Sequence, residues 1–190
     1  MNDSNNYINI IKQRLDSYRF NHSICVAECA KKLAAKYGCD EEKAYVAGIL
    51  HDVMKNTPAE EQLDFFKEHR VELTDVEKSN PKLYHAISGA YFVKDVLKIN
   101  DAQIFHAIRY HTTGRAGMSL LEKVIFIADF ISDDRDYNGI EEIRQAAWES
   151  LEKAMMIGLD FTIKEIVGRR QTLHPDSVDL YNELILEGIK

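Results

Sequence analysis

Ala47-Gly48-Ile49-Leu50-His51-Asp52-Val53-Met54-Lys55 sets an imidazole and a carboxylate side by side in an otherwise apolar run. Asp40 stands ahead of it as a helix cap. Ala44, Ala47, Gly48 and His51 then recur at three-and-four spacing, which predicts a helix with small residues along one face. Small residues let that helix approach its neighbours closely, and the same face carries His51 into the contact. Adjacent helical residues point about 100° apart, so His51 and Asp52 can meet one ion only at a helix surface turned toward a cleft.

Helical periodicity continues on both sides of this segment. Tyr7, Ile8, Ile11, Leu15 and Tyr18 form one stripe. His22, Cys25, Val26, Cys29, Leu33 and Tyr37 form the next, closed by Gly38 as a C′ residue. Downstream, Leu83, Ala86, Ala90, Val93 and Leu97 give a stripe, as do Ile104, Ile108 and His111, and then Leu121, Val124, Ile125 and Ala128. Capping boxes are expected where Thr57 precedes Pro58 and Glu60, where Thr74 precedes Glu77, and where Ser119 precedes Glu122. No stretch alternates as a strand would, and no repeat, low-complexity tract or composition shift marks a linker. The expectation is an all-α protein, a single helical domain over residues 1–190.

The chain has 190 residues, 45% apolar and 29% charged, a globular balance with enough length to bury a core. Its net charge of −7 argues against a sequence-blind nucleic-acid binder, which needs a broad basic surface. A small anionic substrate stays open, because a few clustered cations or a metal can invert the field inside one cleft. Cys25, Cys29 and Cys39 lack zinc or redox spacing, and Cys25 and Cys29 read as small core residues. With no basic signal-type segment at Met1 to Asn6 and no membrane-length apolar run, a cytoplasmic protein is expected.

His22, His51 and Asp129 interrupt stripes otherwise made of Cys, Val, Ala, Gly, Ile and Leu. Any one of them alone is more simply a satisfied core histidine, or a helix-end carboxylate near Ser132. Together, and with Asp52 directly after His51, they are better explained by a shared cation, since a buried unpaired carboxylate costs several kcal/mol. Two imidazoles and two carboxylates leave coordination positions for water and a phosphate oxygen, which is an open, catalytic arrangement.

The ordered set His22, His51-Asp52, Asp129 on an all-helical chain resembles the HD phosphohydrolase superfamily. Within it the chain is similar to the YqeK-type symmetrical bis(5′-nucleosyl)-tetraphosphatase family. The closer likeness rests on Tyr18-Arg19-Phe20-Asn21-His22-Ser23, the His51-Asp52 run quoted above, and Leu83-Tyr84-His85-Ala86. It also rests on Ala107-Ile108-Arg109-Tyr110-His111-Thr112-Thr113-Gly114, Phe126-Ile127-Ala128-Asp129-Phe130-Ile131 and Asp134-Arg135. The resemblance implies hydrolysis of diadenosine tetraphosphate to two ADP. It assigns His22, His51, Asp52 and Asp129 to a divalent metal, iron first, with Mn, Co, Ni, Zn or Mg as alternatives, and one ion or two. His85 and His111 match the family's next two histidines, which ligate a second ion or meet phosphate. Their plainer readings are a solvent-facing side chain and a helix-end imidazole on the macrodipole.

The resemblance also implies catalytic roles for Asp52, Lys55, His85 and His111. It sets the substrate beside Arg19, His22, Lys55, His85, His111, Arg115, Arg135, Arg169, Arg170 and His174. Lys55, one helical turn beyond His51, lies within reach of a phosphate near the metal. Arg115 stands in a loop suited to closing over a polyphosphate, although any single Arg is as readily an ordinary surface charge. The expected partner is a small dinucleoside polyphosphate or nucleotide, with no nucleic-acid polymer and no membrane, and a homodimer stays open. Two other readings remain: another HD nucleotide phosphohydrolase or 5′-nucleotidase, and a nucleotide-sensing module without turnover.

Overall fold

Asp16 divides the first apolar stripe between two helices. Its carboxylate accepts the Arg19 N–H at 2.8 Å and so caps a new helix, leaving Tyr18 more than half exposed rather than on the stripe. The computed structural model describes residues 3–189, and among them there are helices and turns but no strands. Helix α1 is Asp3–Arg14, α2 is Ser17–Tyr37 and α3 is Glu41–Leu50. After a run of turns come α4 (Ala59–Glu68), the short α5 (Asp75–Ser79), a 3₁₀ turn at Pro81–Leu83 and α6 (Tyr84–Tyr91). The chain continues through α7 (Ala102–Tyr110), α8 (Leu120–Ile131), α9 (Ile140–Glu149), α10 (Leu151–Gly168) and α11 (Pro175–Leu186).

Several local signals act as expected. Gly38 closes α2 at φ 75°, and Asp40 caps α3 by accepting the N–H groups of Glu42 and Lys43. Thr74–Glu77 and Ser119–Glu122 both form complete capping boxes. The Thr57 box does not form. Thr57 belongs to the turns after α3, where its hydroxyl meets Met54 Sδ and its carbonyl accepts from Gln62, so α4 starts without a side-chain cap. The stripe from Leu83 to Leu97 is not uniformly α-helical either. After Tyr91 it widens into a π-helix over Phe92–Val96, which keeps Phe92 and Val93 in the core and turns Val96 outward.

Helices α2, α3, α7 and α8 pack on one another and hold the core, with Val26, Ile49, Leu50, Ile108, Ile125 and Phe126 among its buried side chains. Each such side chain contributes about 1.5–3 kcal/mol by leaving water, which holds these four helices together. The small-residue face of α3 has the predicted use: a Cβ on Gly48 would come within 2.6 Å of the Ala27 Cα on α2. Helix α10 packs across α8 and α9, and α11 lies against α10. Cys29 is half-buried and packs against the core, Cys25 is half-buried outside it, and burial pushes the Cys29 thiol up to about 12. No described helix is long and apolar enough to cross a membrane.

Candidate metal centre

Five helices and the turns after one of them converge at one end of the four-helix core, each bringing polar side chains. His22 comes from the second turn of α2 and His85 from the start of α6. His51 follows the last residue of α3 and His111 the last residue of α7, while Asp129 stands in the final turn of α8. Helix C-termini carry partial negative charge, so three of these positions favour a cation before any side chain is counted. Asp52 lies just past α3 in the turns over residues 51–57, not on the helix surface, and Lys55 follows in the same turns.

His22 Nε2 lies 3.0 Å from Asp129 Oδ1, and His51 Nε2 is 4.0 Å from the same oxygen and 3.7 Å from Asp52 Oδ2. Asp52 Oδ1 faces His85 Nε2 at 3.2 Å and His111 Nε2 at 3.6 Å. Two sets of donor atoms are close enough to hold an ion: His22, His51 and Asp129, and His51, Asp52 and His111. Behind them the rings are fixed from the rear. Nδ1 of His51 meets the Gly48 carbonyl at 2.7 Å, Nδ1 of His111 meets the Ile108 carbonyl at 2.7 Å, and Nδ1 of His22 meets Asp134 Oδ2 at 2.8 Å. A carbonyl accepts only from an N–H, so His51 and His111 carry their proton on Nδ1 and present a bare Nε2 to the centre.

Electrostatics agree with that assignment. Burial lowers His51 to about 4 and His85 to about 4, so both are neutral imidazoles at neutral pH. Burial works to raise the Asp52 carboxyl, but His51, His111 and His85 outweigh it and hold it well below the usual carboxylate range. For Asp129, burial is likewise outweighed, here by His22, Arg135 and His51.

A model of the HD domain matches residues 19–134, which takes in every one of these side chains. The chain belongs to the HD domain family. It is 38% identical over 180 residues to the symmetrical bis(5′-nucleosyl)-tetraphosphatase of Halalkalibacterium halodurans, covering 95% of this chain and 96% of that protein. It is 37% identical over 175 residues to the symmetrical bis(5′-nucleosyl)-tetraphosphatase of Bacillus subtilis, covering 92% and 94%. A crystal structure from Clostridium acetobutylicum, described as a predicted HD superfamily hydrolase involved in NAD metabolism, superposes with a TM-score of 0.93 at 37% identity, covering 96% and 97%.

The HD domain implies a divalent cation, and the residues present fit one. His51 Nε2 and Asp52 Oδ1 are buried and have no hydrogen-bond partner, a costly state for polar atoms that a cation relieves.

Around the HD centre the predicted substrate residues divide into two groups. Arg19 reaches Asp52 Oδ2 at 3.3 Å, Lys55 Nζ lies 3.0 Å from His85 Nε2, and the Arg135 guanidinium sits on Asp129. These three ring the centre with positive charge. His85 is buried and faces inward, so its solvent-facing alternative does not hold. Arg115, Arg169, Arg170 and His174 are not at the centre. The Nε–Nη2 edge of the Arg115 guanidinium is held by Glu122, at 2.6 and 3.1 Å, and its face lies over Tyr110.

The Arg115 loop is tied to α11 at several points. Ser177 donates to the Thr113 carbonyl, Glu183 accepts the Gly117 N–H, and Gly114, at φ 62°, packs so tightly that a Cβ would reach 2.3 Å from Leu180. Arg169 pairs with Glu165 at the lip of an apolar cleft of about 180 Å³ that Thr112, Phe126, Phe130 and His174 also line. His174 itself is buried as the N-cap of α11, with Nε2 3.6 Å from Glu77, and Arg170 is exposed.

Two residues of the HD site carry no role in the sequence reading. Asp134 orients His22 across a separation of 112 residues, and Thr112 places its hydroxyl 3.1 Å from His111 Nε2 and 3.4 Å from His85 Nε2. Both stand on turns just past a helix, where periodicity is silent. The available signal for each was its nearness to an expected site residue, His111 before one and Arg135 after the other.

Proposed function

We propose that this chain hydrolyses dinucleoside tetraphosphates symmetrically, diadenosine tetraphosphate to two ADP, at a divalent cation held by His22, His51, Asp52 and Asp129. The observation that carries the reading is the buried, unpartnered pair His51 Nε2 and Asp52 Oδ1, at the centre of a ring formed by Arg19, Lys55 and Arg135. Relatives at 37% and 38% identity named for that activity support it. The family resemblance implies iron first, with Mn, Co, Ni, Zn and Mg as alternatives that the imidazole and carboxylate set also accepts, and His51, Asp52 and His111 offer a second group of donors. When bound, the cation acidifies a water and polarises a phosphoryl oxygen.

The chain's own groups do the rest. Water attacks an inner phosphorus, the bond to its bridging oxygen breaks, and a nucleoside diphosphate leaves. Arg19, Lys55 and Arg135 offset negative charge that grows on the phosphoryl and leaving oxygens. Lys55 is lowered by burial yet sits against Asp52, which holds its charge toward the phosphates. His85 and the Thr112 hydroxyl can hold a water beside the reacting phosphorus. No side-chain nucleophile is needed. The absence of a membrane-length helix is compatible with action in the cytoplasm.

Product analysis separates this reading from its rivals. Diadenosine tetraphosphate should give ADP alone. Preferred release of inorganic phosphate from mononucleotides would mark a 5′-nucleotidase, and binding without turnover would mark a sensing module.

A further inference from the structure

The turns over residues 51–57 carry both Asp52 and Lys55, yet they form no helix. Short backbone bonds order them from within, the Lys55 N–H to the Asp52 carbonyl at 2.8 Å and the Thr57 N–H to the Met54 carbonyl at 3.1 Å. Side chains hold them from outside. On the α1 side, Arg14 donates to the Val53 carbonyl at 3.3 Å, and Asn56 exchanges hydrogen bonds with Asp16 at 2.8 and 3.1 Å. On the opposite side the tie is a single amide. Gln62 of α4, buried at 4% exposure, donates from Nε2 to the Thr57 carbonyl at 2.7 Å, and its Oε1 accepts the Ser88 hydroxyl at 2.7 Å. Ser88 stands on α6, three residues after His85.

The two elements that Gln62 joins are the two whose side chains meet at the centre. Lys55 Nζ lies 3.0 Å from His85 Nε2, and Asp52 Oδ1 lies 3.2 Å from the same nitrogen. Gln62 borders the cleft that Arg19, Lys55, Lys82 and His85 line, but both ends of its amide are already bonded within the protein. Packing does not call for an amide here. Phe66, the other buried side chain of α4, sets its ring edge-on to Tyr84 of α6 at 5.6 Å and holds the two helices together. A buried amide costs free energy unless its ends are paired, and an apolar chain of similar length would fill the same space. An apolar chain cannot hold the Thr57 carbonyl.

We infer that Gln62 is a positioning residue for the reaction, setting Lys55 against His85 by tying the end of the turns to α6. This rests on the hydrolase reading above. Asp52 follows α3 directly and is held at the centre by its histidines, so the far end of the turns moves first when the tie is cut. Lys55 stands there, two residues from Thr57. Misplacing by about 1 Å a group that offsets transition-state charge can cost about a hundredfold in rate. The loss falls on kcat, because the metal ligands and the ground-state contacts stay in place.

The test is a double-mutant cycle on the metal-loaded, full-length enzyme with diadenosine tetraphosphate. Wild type, Gln62→Leu, Lys55→Ala and the pair are compared in kcat, KM and bound metal. Gln62→Leu should lower kcat by about ten- to a hundredfold, with KM within about threefold of wild type and metal content unchanged. In the Lys55→Ala background the same change should alter kcat by less than about twofold, a coupling that a residue supporting only the fold would not show. Wild-type kcat in Gln62→Leu overturns the inference. So does a loss as large with Lys55→Ala as without it, or one that merely follows lost metal. Should Gln62→Leu fail to fold, the cycle is run with Ser88→Ala, which frees the other end of the amide. A loss of about threefold that disappears beside Lys55→Ala is then expected, and an undiminished kcat or a loss independent of Lys55 overturns the inference. Failure of the wild type to cut diadenosine tetraphosphate into ADP would instead overturn the hydrolase reading beneath it.

Discussion

The cluster around His51 and the cluster around Glu77 are both buried, both mix imidazole with carboxylate, and both join several helices. Their valences differ. Glu77 accepts from the Thr74 N–H and hydroxyl on one oxygen and holds the Arg109 guanidinium on the other, with His174 Nε2 3.6 Å away. Its charge is matched and its oxygens are filled, so the cluster ties α5, α7 and the start of α11 together, with His174 Nε2 its one buried atom without a hydrogen-bond partner among the described residues. Around His51, bare imidazole nitrogens face carboxylate oxygens, acceptor against acceptor, and two of the atoms have no partner. Residue type alone does not separate a site from a strut. The unfilled carboxylate oxygen of Asp52, set against the filled pair of Glu77, does.

The largest effect should follow from removing a donor of the unfilled cluster. His51→Ala or Asp52→Ala should lose most bound metal and slow turnover on the order of a thousandfold or more, measured by metal analysis and single-turnover kinetics. Full turnover in a metal-free Asp52→Ala protein would dissolve the distinction between the clusters. Asp134→Asn comes next. It keeps the shape but weakens the grip on His22 Nδ1, and metal affinity should fall by about 10–100-fold. An unchanged affinity would make Asp134 a bystander.

In the filled cluster the same kind of change should cost stability and spare catalysis. Glu77→Gln leaves Arg109 without its carboxylate and should lower unfolding stability by roughly 1.5–3 kcal/mol in denaturant titrations, with metal content unchanged. Burial works to raise the Glu77 carboxyl, but His174, Thr74 and Arg109 bring it down to about 2. A carboxylate lowered on folding stabilises above its unfolded pKa, near 4.5, and that contribution is lost as pH falls toward 2. The gap between wild type and Glu77→Gln should therefore be widest near neutral pH and close in acid. A gap independent of pH would mean that the charge of Glu77 contributes nothing.

The candidate ligands His22, His51 and Asp129 were legible because each breaks an apolar stripe, and such breaks are visible one helix at a time. The capping boxes at Thr74 and Ser119 were legible for the same local reason. Thr57 shows the limit of that logic: its motif was present, but the turns after His51 had already committed its backbone. Asp134 and Thr112 lay beyond it, since their roles exist only once α2 meets the turn after α8 and α6 meets the end of α7. Arg115 shows the converse error. A basic residue between glycines looked free to close on phosphate, whereas its partner, Glu122, was hidden as half of a capping box. Arg115→Ala, the smallest effect, should cost about 1–2 kcal/mol of stability with KM for the dinucleotide within about twofold of wild type. A several-fold rise in KM would return Arg115 to the substrate.

The most direct test joins metal to bond cleavage in one experiment: the full-length protein, stripped of metal and then reloaded, is given diadenosine tetraphosphate in heavy-oxygen water, and its products are weighed. Activity should vanish on stripping and return on reloading, with ADP as the only nucleotide product and solvent oxygen in one of the two molecules. Undiminished turnover in the stripped protein, or AMP and ATP as products, would contradict the account.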